Sequence, residues 1–196
     1  MTNYLIKGGL VVDGNGGEPM LAEVLIKNGK IDAVISANEA VTDKSIEMID
    51  VETIDASGCI VTPGFVDPHT HYDGQATWDD RLAPSADHGV TTVVMGNCGV
   101  GFAPVRPDER DFLIELMEGV EDIPGSALAD GIDWAWESFP EYLDTLDNKA
   151  RALDVVAQIP HGALRTYVLG KANNLNAPAT AEQIQQMAAL TQQAIE

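Results

Sequence analysis

Basic residues are scarce in this chain: 11 Lys and Arg stand against 31 Asp and Glu, a formal net charge of −20. A surface this acidic repels nucleic-acid phosphates and anionic lipid, so no nucleic acid and no membrane partner is expected. Long apolar runs are missing too. No stretch approaches the ~20 residues that cross a bilayer, and Met1-Thr2-Asn3-Tyr4 lacks the basic start and apolar core of a secretory signal. A cytoplasmic location is the expectation. Two cysteines, Cys59 and Cys98, are too few for a disulfide framework. Nor is there a phosphate-cradling glycine loop, a basic aromatic patch, a serine nucleophile elbow or an internal repeat. What is present is a globular composition, 45% hydrophobic and 21% charged over 196 residues, enough for a real core in one domain or two small ones.

The first sixty residues read as short strands. Residues 4–7, 10–13, 23–27 and 30–35 suit strands, the last two joined by Asn28-Gly29, a dipeptide that favours a type I′ hairpin turn. A small antiparallel sheet is expected there. Residues 45–61 add a stretch with Ile46, Met48, Val51 and Ile54 alternating around acids. From about residue 60 the rhythm becomes that of parallel β/α units, with short apolar strands over 60–66, 91–95 and 155–159. Pro107-Asp108-Glu109 opens a helix carrying Phe112, Leu113, Leu116 and Met117, and Ser138 caps one carrying Phe139, Tyr142, Leu143 and Leu146. Residues 180–195 have helical spacing and run to the chain end. The acids Glu118, Glu121 and Asp122 read as solvated surface, and Trp134, Trp136 and Phe139 as core.

This pattern predicts two parts: residues 1–59, a β-sandwich portion, and residues 60–196, the start of an α/β barrel. Three β/α units do not close a barrel that needs eight strands over ~250 residues, so the chain is expected to be truncated. A flavodoxin-like sheet would want a glycine-rich turn after its first strand, and none is present.

The strand over 60–66 runs into Asp67-Pro68-His69-Thr70-His71, and residues two apart in an extended chain share a face. Asp67, His69 and His71 therefore point the same way at a strand exit, where barrel enzymes build sites and where imidazole serves as a zinc ligand. Alone, the pair could equally be polar residues in a turn. Cys98, in Gly96-Asn97-Cys98-Gly99 after the second strand, is either a thiolate ligand or a small buried hydrophobe. Cys59 and His88 precede their strands and read as structural. His161 follows the third strand on the catalytic side, as a cap or a substrate contact. Arg165 could meet a substrate carboxylate or pair with one of the many acids.

Three ordered motifs carry a resemblance: Pro63-Gly64-Phe65-Val66-Asp67-Pro68-His69-Thr70-His71-Tyr72-Asp73; His88-Gly89-Val90-Thr91-Thr92-Val93-Val94 leading to Gly96-Asn97-Cys98-Gly99-Val100; and Trp136-Glu137-Ser138-Phe139-Pro140-Glu141-Tyr142-Leu143. Together they resemble the amidohydrolase superfamily, and within it the D-aminoacylase-like N-acyl-D-amino-acid deacylases of amidohydrolase family 3. The resemblance implies a (β/α)8 barrel with a small β-sandwich, one or two zinc ions, and His69, His71 and Cys98 as metal ligands. Asp67, Asp73, His161 and Arg165 become candidates for supporting those ligands or meeting the substrate. It also implies hydrolysis of a small N-acyl-D-amino acid, with two further histidines and a general acid/base Asp that would lie beyond residue 196. The isolated chain is then expected to be inactive. A cyclic-amide hydrolase of the hydantoinase type shares the His pair, but its relatives use a carboxylated Lys where this chain has Cys98. A metal-binding or interaction module without activity is the non-enzyme alternative, against which stand an uncapped last helix and an open sheet edge. The sequence carries no signal of oligomeric state.

Overall fold

The computed structural model describes residues 2–36, 50–121, 123–171 and 177–195, which divide into two compact units, Met1–Pro63 and Gly64–Glu196. In the first unit β1 (Asn3–Val11), β2 (Met20–Lys27), β3 (Lys30–Ser36), β4 (Val51–Asp55) and β5 (Ile60–Val61) share one sheet, in the order β3-β2-β1-β4 with β5 also on β1. The expected hairpin forms: Asn28 and Gly29 take φ of 53° and 76°, as a type I′ turn demands. Two expectations give way. Residues 4–7 and 10–11 belong to one strand, which ends at Val11 short of the expected 13, with a register shift between Ile6 and Gly9 where Gly8 takes φ 75°. The sheet is also mixed rather than antiparallel, because β4 and β5 run parallel to β1. The chain over 37–50 has the dozen or more residues that a parallel crossover needs, so β4 can enter beside β1 in the same direction. Residues 45–49 of the expected third stretch lie outside the described residues. Val11, Ala22 and Val24 make this unit's small core.

The second unit is built on β6 (Phe65–Thr70), β7 (Val90–Met95) and β8 (Asp154–Ala157), a parallel sheet in that order. The apolar run over 60–66, read as one strand, is two. Pro63 has no N–H to give a ladder and Gly64 follows it, so Ile60 and Val61 pair with β1 while Phe65 onward pairs with β7. Helix α1 (Ala83–Ala86) precedes β7; α2 (Arg110–Glu121), α3 (Gly125–Gly131) and α4 (Phe139–Asp147) lie between β7 and β8; α5 (His161–Leu169) and α6 (Ala181–Gln193) follow.

The helix starts follow their chemistry. A 3-10 turn at Pro107–Glu109 leads into α2, and Ser138 and Thr180 each close a capping box, with Glu141 and Gln183. Helices α1, α3 and α5 lack such side-chain caps, and the sequence did not announce them. The core packs Val93, Met95, Leu113, Met117 and Leu128 with Trp136, Phe139 and Tyr142, as the aromatic spacing anticipated. Trp136 Nε1 donates to the Phe102 carbonyl at 2.8 Å, and Tyr142 donates to the Asp73 carbonyl at 2.7 Å, so both polar tips are satisfied where they are buried. Of the acidic run, Glu118 accepts from the Gly125 N–H at 3.1 Å; the Glu121 side chain and Asp122 lie outside the described residues. No helix among the described residues is long and apolar enough to cross a membrane.

Arg151 ties the end of α4 to the turn that follows β6. Its Nε donates to the Ala76 carbonyl at 2.9 Å, and its Nη1 to the carbonyls of Leu146 and Lys149 at 2.5 and 3.0 Å. Arg151→Met removes these three bonds, leaving the Leu146 carbonyl only its backbone donors, and is expected to cost about 2–3 kcal/mol in denaturant unfolding. Arg151→Lys should recover less than half of that, since an ammonium lacks the planar fork that reaches several carbonyls at once. Full recovery by Lys would mean that charge alone, not fork geometry, holds the junction.

Candidate metal centre

Parallel pairing aligns the strand exits. Thr70 lies opposite Met95, and Met95 opposite Ala157, so the residues after β6, β7 and β8 emerge level with one another, at the end of an open α/β sheet where ligands bind. Thr70 turns into the sheet and donates to the Val94 carbonyl at 2.9 Å, which leaves His69 and His71 on the opposite face. Their rings stand 5.4 Å apart between centroids. From the β7 exit, Cys98 brings its Sγ to 3.7 Å from His71 Nδ1. One donor atom each from His69, His71 and Cys98 lies within 4.8 Å of the others.

Burial, and after it the charge of His69, lowers the pKa of His71 and so favours the neutral imidazole that a metal needs. These donors fit zinc. Tetrahedral ligation with Zn–N near 2.0–2.1 Å and Zn–S near 2.3 Å sets neighbouring donors about 3.3–3.6 Å apart, so the observed spacings call for only small side-chain adjustment.

What holds Cys98 there is a set of glycines, of which the sequence reading noted Gly96 and Gly99 as flanking the cysteine without giving them this role. Gly96 takes φ 80°, and a Cβ on it would meet the Gln158 carbonyl oxygen at 2.2 Å. Gly99 takes φ 91°, and its carbonyl accepts the Gly162 N–H at 2.7 Å. A Cβ on Gly162 would fall 2.8 Å from that same carbonyl. Asn97 Nδ2 donates to the Pro68 carbonyl at 2.9 Å and joins the Cys98 loop to the His69 strand. The available signal was the clustering of glycine around Cys98 after β7 and His161 after β8.

The remaining candidates separate. His161 opens α5 and, with Cys98, Leu116 and Arg165, lines an open groove of about 720 Å³. Arg165 donates to the Ala177 carbonyl across that groove. Asp67 accepts the His69 N–H at 3.2 Å and fixes the backbone leading into His69 rather than joining the donor group. Asp73 also stays outside that group: it is 3% exposed, Oδ2 has no hydrogen-bond partner among the described residues, and burial pushes its carboxyl up to about 7. His88 lies close to the Pro84 carbonyl, with Nδ1 at 2.6 Å. Cys59, expected as a small buried structural residue, is instead exposed in the first unit.

The profile of the amidohydrolase family matches residues 52–196. The chain belongs to that family. This amidohydrolase is 30% identical over 193 residues to a D-aminoacylase of Alcaligenes xylosoxydans xylosoxydans, covering 98% of this chain and 35% of that protein. A solved D-aminoacylase with a binuclear metal centre superposes with a TM-score of 0.75 at 31% identity, over 98% of this chain and 36% of that one. An N-acyl-D-glutamate deacylase from Bordetella bronchiseptica, solved with zinc and a phosphonate inhibitor, gives a TM-score of 0.65 at 28% identity, over 97% of this chain and 35% of that one. The chain spans about a third of the length of the curated relatives it matches. The family resemblance read from the motifs therefore holds, and the mixed α/β architecture is similar to that of D-aminoacylase.

Proposed function

We propose that this chain supplies the first metal ligands of a zinc-dependent deacylase that hydrolyses N-acyl-D-amino acids to a carboxylic acid and a D-amino acid. On this reading, residues 64–196 begin a (β/α)8 barrel, and His69, His71 and Cys98 hold the metal. The observation that carries the proposal is the convergence of one thiol and two imidazole donors within 4.8 Å at level strand exits. Similarity to D-aminoacylase over nearly the whole chain supports the substrate class.

Bound there, zinc supplies Lewis acidity toward an amide carbonyl and acidifies water. The chain's own residues prepare that chemistry. Burial lowers the pKa of His71 and favours its neutral form, Asp67 and Thr70 fix the strand that aims both imidazoles, and the glycine-flanked loop delivers Cys98. His69 and Cys98 are exposed, so a small amide can approach from the open side. The general acid/base Asp that would carry the proton to the leaving amine is, on the family resemblance, supplied from outside these 196 residues. The 196-residue chain by itself is accordingly expected to bind zinc without hydrolysing amides.

The test is zinc content and hydrolysis of paired N-acetyl-D- and N-acetyl-L-methionine by the full-length protein, before and after chelation, beside His69→Ala. Zinc-dependent cleavage of the D-substrate, lost in His69→Ala, is expected. Cleavage that survives chelation and metal removal would end the proposal, and cleavage of cyclic amides alone would transfer it to the hydantoinase type.

A further inference from the structure

We propose that the groove beside Cys98 is a carboxylate-binding subsite, with Arg165 and His161 as its recognising side chains; the substrate assignment rests on the deacylase reading. Its volume of about 720 Å³ falls within the ~300–1,000 Å³ usual for small-molecule sites. The chain carries 31 acids against 11 bases, yet the described residues lining this groove include a guanidinium and an imidazole and no carboxylate. A guanidinium with no carboxylate among the described lining residues favours an anionic group there over the acidic surface at large.

Helix α5 places both side chains. His161 and Arg165 are four residues apart and so share a helix face. The positive end of the α5 dipole lies at His161, on the side an anion would occupy. The hydrogen bond from Gly162 N–H to the Gly99 carbonyl locks the start of α5 to the Cys98 loop, so the spacing between the metal donors and these two side chains is set by backbone. Arg165 is braced by the Ala177 carbonyl, which holds the guanidinium at the groove wall before any ligand arrives. In an N-acyl amino acid the α-carboxylate is two bonds from the scissile nitrogen. At about 1.5 Å per bond, an amide positioned beside Cys98 carries its carboxylate into the same groove. A side-chain carboxylate, as in an acyl-D-glutamate, offers the same chemistry a few bonds further on.

The test compares N-acetyl-D-methionine with N-acetyl-D-methioninamide, whose carboxylate is masked, on the full-length protein and its Arg165→Met variant. Losing a charged hydrogen-bond pair should lower the preference for acid over amide, read as the ratio of KM values, about 10- to 100-fold. A ratio unchanged within about twofold overturns the proposal, as does an equal rise in both KM values, which would mean that Arg165 only braces Ala177. Pro178→Glu adds a carboxylate to an exposed position of the groove wall and covers the case in which Arg165→Met does not fold; it should also cut the preference, and no change counts against the subsite. N-acetyl-D-glutamate and its α-amide separate the two sources of the carboxylate: discrimination retained with the α-amide assigns the groove to the side chain. Calorimetric binding of the acid and the amide is read in parallel. Hydrolysis of neither compound by the wild type ends the deacylase reading, while tighter binding of the acid, lost in Arg165→Met, still supports the subsite.

Discussion

Gly96→Ala is expected to cost about 4 kcal/mol of stability and to strip zinc from the protein. Two penalties combine. An L-residue at φ 80° pays about 1–2 kcal/mol for the left-handed backbone. The added Cβ would then sit 2.2 Å from the Gln158 carbonyl oxygen, a backbone atom that cannot swing aside as a flexible side chain would. Relieving the clash means separating the β7 exit from the β8 exit, which breaks the 3.0 Å bond from Gln158 N–H to the Met95 carbonyl and displaces Cys98 two residues on. Gly16 provides the control. It has the same φ of 80° but nothing within 4 Å of its Cβ position, so Gly16→Ala should cost only the conformational part, about 1 kcal/mol. Denaturant unfolding of both variants, with zinc stoichiometry, separates the two terms. If Gly96→Ala costs no more than Gly16→Ala, close packing of the two exits is not what positions the cysteine.

That control also marks where sequence reading stopped. His69 and His71 were legible because strand geometry has a period of two, a local rule needing only neighbouring residues. The Asn28-Gly29 turn and the Ser138 and Thr180 caps were legible for the same reason. Gly96, Gly99 and Gly162 act through contacts with backbone up to about sixty residues away in the chain, and no local pattern reports a carbonyl arriving from another strand exit. The parallel entry of β4 and β5 beside β1 was hidden in the same way, since strand direction is set by the path of the connection rather than by strand composition. For Cys98, position after a strand left ligand and buried hydrophobe both open. The structure adds what the sequence could not, that its sulfur is exposed and lies 3.7 Å from an imidazole nitrogen.

Cys98→Ala should weaken zinc binding by about 10²- to 10³-fold. Apparent binding energies of about 10–16 kcal/mol spread over four ligands give ~2.5–4 kcal/mol for each, and a thiolate is among the stronger zinc donors in a mixed set. The substitution removes only the sulfur at an exposed position, so no cavity opens and the fold should survive, unlike that of Gly96→Ala. Chelator competition measures the loss, and cobalt in place of zinc gives an independent readout. A thiolate ligand contributes a charge-transfer absorption to the cobalt-loaded protein, and that band should vanish in Cys98→Ala while weaker cobalt binding persists through His69 and His71. Unchanged zinc affinity together with no thiolate band in the wild type would reduce Cys98 to a bystander beside His71. The metal site would then depend on ligands other than this thiol, as in the cyclic-amide hydrolases that use a carboxylated Lys, and the deacylase assignment would lose the residue that sets it apart from them.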